Sequence, residues 1–105
     1  MMSDKFNGNV EKIRKLTVQR ADTGETLTVT GRAAWCLAQL ITHGESGVTP
    51  LERPAPRWSD YVFRLRKLSL PVLTIDEAHG GAYRGHHARY RLEAPVEVID
   101  QEFAA

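Results

Sequence analysis

The chain has a single cysteine, Cys36. It cannot close an internal disulfide, which excludes a small secreted scaffold stapled by disulfide bonds. No apolar run approaches the roughly 20 residues that span a bilayer. The opening segment, Met1 to Gly8, is polar apart from Phe6, so neither a secretory signal nor a membrane span is expected, and the expected compartment is the cytoplasm. Charge of one sign is also lacking: 14 Lys and Arg against 13 Asp and Glu leave a net of +1. The total charge therefore selects no partner. A phosphate-binding loop, a nucleophile elbow and an HExxH helix are all absent. Cys36 stands in an apolar segment without a local catalytic signature and reads as a buried structural thiol. No enzymatic activity and no cofactor are expected. What is present suffices for a fold: 105 residues make one domain, and 42 % apolar residues can build a core without a metal or disulfide staple.

The distribution of charge is more informative than its sum. Residues 1–52 are balanced, with six bases and six acids. Residues 53–91 carry eight bases (Arg53, Arg57, Arg64, Arg66, Lys67, Arg84, Arg89, Arg91) against three acids, a local net of +5. Residues 92–105 carry four acids and no base. A basic middle segment favours a polyanionic partner, against the plain alternative of a solvated charged face.

Periodicity divides the chain into elements. Residues 1–9 lack a period and read as a flexible tail. Two β-branched alternating runs, Thr17-Val18-Gln19-Arg20 and Thr26-Leu27-Thr28-Val29, flank a turn containing Gly24 and predict a β-hairpin within 10–29. Ala33, Ala34, Leu37, Ala38, Leu40 and Ile41 share one helical face, predicting an amphipathic helix over 31–43 with Thr30 as its N-cap and Gly44 as its stop. Trp35 lies off that face and is expected to pack on the hairpin. Thr49-Pro50-Leu51-Glu52 has the form of a capping box and predicts a short helix over 50–53, cut off by Pro54 and Pro56. Trp58, Tyr61, Val62, Leu65 and Leu68 make an apolar stripe that predicts a helix over 57–68, ending before Pro71. Alternation then returns on both sides of a Gly-rich loop, predicting a hairpin over 72–92 in which Ala88, Tyr90 and Leu92 face inward and His87, Arg89 and Arg91 face out. Val96-Glu97-Val98-Ile99 suggests a short last strand, and 100–105 reads as a tail. The domain thus spans 10–99.

Helix, short helix, basic helix, strand, Gly-rich loop and strand follow in the order of a winged helix-turn-helix. The expected fold is therefore α+β, with three helices, a β-hairpin wing and an extra N-terminal hairpin. The runs Arg57-Trp58-Ser59-Asp60-Tyr61-Val62-Phe63-Arg64-Leu65-Arg66-Lys67, Thr74-Ile75-Asp76-Glu77-Ala78-His79-Gly80-Gly81 and Gly85-His86-His87-Ala88-Arg89-Tyr90-Arg91-Leu92 resemble small winged-helix proteins of bacterial genomes and prophages, over about residues 31–93. The departure is Arg53-Pro54-Ala55-Pro56, whose two prolines shorten and stiffen the second helix and the turn. The resemblance implies a fold more strongly than a function.

In such a fold the basic helix offers its polar face to the major groove and the wing reaches phosphates or the minor groove. The candidate DNA-binding residues are Arg57, Ser59, Asp60, Phe63, Arg64 and Lys67 on the helix, with Arg84, His87 and Arg89 on the wing. Double-stranded DNA is the expected partner, and a transcriptional or mobile-element regulator the expected role. A protein-binding winged helix is the alternative, recognisable by an apolar patch of Trp58, Phe63 and Tyr83. A homodimer through the N-terminal hairpin or the first helix stays open under both readings. No metal site is expected, because adjacent His86 and His87 point to opposite faces of a strand.

Overall fold

The computed structural model describes Phe6, residues 8–81 and residues 84–104. Its central element is helix α1 (Gly31–His43), in which every residue from Ala33 to Leu40 is buried. The expected one-sided amphipathic helix is thus buried all round: Trp35, Cys36 and Gln39, off the apolar face, are covered as well. Thr30 occupies the N-cap position, but its side chain makes no capping bond.

One side of α1 is covered by a three-stranded antiparallel sheet of β1 (Ile13–Arg20), β2 (Thr26–Thr30) and β5 (Val96–Phe103), in the order β2-β1-β5. Leu16, Val18 and Val29 project from it into the core. The predicted hairpin is present, with Gly24 at a φ of 77° closing its turn. It does not stand alone, because β5 pairs along the other edge of β1. Residues 100–103 therefore belong to a strand and not to a tail. Within the segment read as a flexible tail, Phe6 is 1 % exposed and joins the core.

The other side of α1 receives helix α2 (Trp58–Lys67) and a hairpin of β3 (Val72–His79) and β4 (Gly85–Leu92). Two α-helices are present among the described residues, not three. The capping box does form: the Thr49 hydroxyl accepts from the Glu52 amide at 3.1 Å, and the Glu52 carboxylate accepts from the Thr49 amide at 3.2 Å. What it closes is a single turn over 50–53, because Pro54 and Pro56 deny the next turn its amide donors. Gly47 and Val48, read as a plain connector, lie against β4. The amide and carbonyl of Val48 each bond Tyr90 at 2.8 Å, adding a one-residue third strand to the hairpin sheet. Gly47 has a φ of 70°, and a Cβ there would stand 2.8 Å from the Tyr90 carbonyl oxygen. Only glycine fits this approach.

Candidate nucleic-acid interface

Helix α2 buries Trp58, Tyr61, Val62 and Leu65. Leu68, expected to extend that stripe, lies past the last turn and is partly exposed. The start of the helix is locked to the wing. Trp58 is 3 % exposed, stacks on Tyr90 with ring centroids 5.7 Å apart, and donates its indole N–H to the Arg53 carbonyl at 2.6 Å. Trp35 meets Trp58 at 5.4 Å and Tyr61 at 6.5 Å, and its indole N–H bonds Glu11 at 2.9 Å. It therefore packs between the helices and not on the hairpin. The end of α2 is braced too. Arg66 donates to the Val72 carbonyl at 2.7 Å and to the Thr74 hydroxyl at 2.7 Å, and Arg20 donates to the carbonyl of Ser69. Both helix termini are thus held against strands.

The opposite face of α2 is open. Arg57, Ser59, Phe63, Arg64 and Lys67 are exposed and Asp60 is half-buried. Arg64 pairs with Asp60 one turn away at 3.3 Å, a solvent-exposed contact of small energy. Lys67 places its ammonium 5.1 Å from the Phe63 ring centre, which screens part of that apolar side chain. Arg64, Arg66 and Lys67 all fall in the last turn, where the helix dipole favours cations. Ser59, Asp60, Phe63 and Lys67 therefore lie on the face opposite the buried stripe, with Arg64 at its flank and Arg57 at the N-cap.

The wing divides its candidates differently. Arg84 is exposed near the hairpin tip, and no hydrogen bond or ion pair holds it among the described residues; Ala82 and Tyr83 lie outside those residues. His87 and Arg89, expected to face solvent, are instead drawn into contacts. Arg89 bonds Glu77 at 2.6 Å, the Ser46 carbonyl at 2.9 Å and Glu52 at 3.3 Å, and its side chain is 25 % exposed. His87 bonds Glu77 at 3.0 Å and is 14 % exposed. For Arg89 the reason is the segment 46–52, which reaches the face that alternation alone assigns to solvent; His87 is held by Glu77 and His79 of the neighbouring strand. The Arg89 bond, resisted by partial burial and aided by His87, holds the Glu77 carboxyl below the usual carboxylate range. The same bond raises the Arg89 guanidinium. Burial would raise Glu52, but Arg89 and the Thr49 hydrogen bonds outweigh it and lower the carboxyl. These groups form a charged brace between turn and wing.

Sequence reasoning missed the bracing role of Arg66 and the pairing of Glu77 and His79 with β4. Counting residues across the hairpin from its loop is the one signal that reaches the second of these. Burial pushes the Cys36 thiol up to about 12, against a smaller opposing effect of Arg32, so it is inert as a nucleophile at neutral pH. Among the described residues no group of three or more His, Cys, Asp or Glu could hold a metal ion. None of the described helices is long and apolar enough to cross a membrane.

A family model described as a winged helix domain matches residues 26–102. No curated protein and no solved structure gives a significant match. The family match takes in both α-helices, the wing and nearly all of β5, and leaves β1 outside it.

Proposed function

The chain belongs to the winged helix domain family, and from that premise we propose that it binds double-stranded DNA as a transcriptional or mobile-element regulator. In this reading the open face of α2 enters the major groove, with Arg57, Arg64 and Lys67 meeting phosphates or guanine edges and Ser59 and Phe63 between them. Arg84 at the wing meets the flanking backbone. The observation that carries the reading is the division of labour among the cations. Arg66 and Arg89 are spent on internal bracing, whereas the cations on the open face of α2 have only solvent-exposed partners or none. Asp60 tunes Arg64 and does not itself meet a phosphate.

The test compares variants by fluorescence anisotropy on a labelled duplex. Lys67→Ala weakens binding uniformly across duplex sequences and makes the dependence of log K on log salt shallower by about one unit. Arg89→Ala leaves that slope unchanged. Equal slopes for the native chain and Lys67→Ala contradict the reading.

One observation supports the rival reading of a protein-binding module: Phe63 is 55 % exposed. Of the patch that defined that alternative, Trp58 is buried and does not contribute; Tyr83 lies outside the described residues. Under the DNA reading, Phe63 contacts a thymine methyl group.

A further inference from the structure

The distal half of the wing aligns two imidazoles in a way that the DNA reading does not use. The β3–β4 register sets Glu77 opposite His87 and His79 opposite Gly85, so Glu77, His79 and His87 project from one face. The two Nδ1 atoms of His79 and His87 stand 2.9 Å apart, and their rings stack with centroids at 5.1 Å. At its other nitrogen, His87 Nε2 lies 3.0 Å from Glu77 Oε1. A carboxylate only accepts, so the neutral His87 ring keeps its hydrogen on Nε2 and turns the Nδ1 lone pair toward His79. Gly85 beside them has no side chain; a Cβ there would come within 3.4 Å of the His79 ring.

We propose that His79 and His87 chelate a divalent transition-metal ion of tetragonal preference, Cu2+ foremost, through their two Nδ1 atoms. Two nitrogens bonded at about 2.0–2.1 Å to neighbouring corners of a square-planar ion are about 2.9 Å apart, whereas a tetrahedral ion spreads them to about 3.3 Å. The observed 2.9 Å spacing fits the first geometry. The ion replaces the hydrogen now lying between the rings; that hydrogen moves to His79 Nε2, so binding to the neutral pair releases no proton. Glu77 acts as a positioning residue. It receives the His87 Nε2 hydrogen, as carboxylates commonly do behind a metal-bound imidazole, and it is fixed by Arg89 Nε at 2.6 Å. Imidazole donors suit Cu2+, which heads the affinity order of first-row divalent ions. The remaining coordination positions are left to water or to a further ligand. His86 takes no part, since it projects from the opposite face and pairs with Asp76 at 3.0 Å. The inference rests on the hairpin geometry and is independent of the DNA reading.

The full chain is titrated with Cu2+ at neutral pH by calorimetry, and the one-equivalent complex is examined by electron paramagnetic resonance. The native chain is expected to take up one equivalent and to show the hyperfine pattern of two coordinated imidazole nitrogens. His79→Asn and His87→Asn each lose more than about 100-fold in affinity, and Glu77→Gln loses about 10- to 100-fold. His86→Asn binds as the native chain does. A native chain that takes up no Cu2+, or a complex without two imidazole nitrogens, overturns the proposal without recourse to any variant. Uptake that survives in both His79→Asn and His87→Asn overturns it as well.

Discussion

His43 ends α1 half-buried. Burial lowers its pKa below the ordinary 6.5, Arg53 adds to that shift and Glu52 opposes it. A histidine whose folded pKa is depressed binds its proton more readily in the unfolded chain. Its contribution to stability is therefore complete above about 6.5 and is lost as the pH falls through the folded value. The urea midpoint is expected to fall between about pH 7.5 and pH 5.5, and His43→Gln is expected to reduce that fall. An identical pH profile in His43→Gln refutes the assignment. At the same scale, His87 and Arg89 mark the limit of reading charge from sequence. Alternation tells which side chains share a face of a strand, and Ala88, Tyr90 and Leu92 do turn toward the core. It does not tell what covers the opposite face, and here Ser46 and Glu52 reach Arg89 from far along the chain. The exposed face of α2 was legible because its apolar stripe identifies the opposite side without any long-range information.

Among the elements, the helices over 31–43 and 57–68 and the hairpin over 72–92 were readable from period alone. Those that were not have definite causes. The capping box at Thr49 formed its hydrogen bonds, but a capping signal reports a helix start and not a helix length. The single-residue strand at Val48 has no period to detect. In β5 the register with β1 shifts between Thr17 and Val18, which face Asp100 and Val98, so Ile99 is an unpaired bulge residue. The bulge resets the alternation, and for that reason the strand looks finished at Ile99 and its second half looks like a tail. That half anchors the sheet: Phe103 pairs with Ile13 and packs on the core. Phe103→Ala is expected to cost roughly 1–3 kcal/mol, below the range for a fully buried aromatic because the ring is half-buried. Chemical denaturation measures it, and a loss near zero restores the reading of 100–105 as a dispensable tail.

Across the whole molecule, a net charge of +1 conceals a separation that the fold partly uses and partly cancels. The acids of β5 lie on the sheet beside β1, where Glu102 meets Lys15 at 3.3 Å. Of the bases in the middle segment, Arg66, Arg89 and Arg91 are tied up in internal bonds. The exposed cations of α2, its N-cap and the wing that are not tied to another element are Arg57, Arg64, Lys67 and Arg84. This count converts the functional reading into a number: four neutralised phosphates give a slope of log K against log salt of about −3 to −4. The decisive measurement is the affinity of the native chain for a labelled random-sequence duplex between about 50 and 200 mM salt. Binding is expected at the lower concentration and weakens by roughly 100-fold at the higher. Binding that is absent at low salt, or indifferent to salt, contradicts DNA binding through these cations.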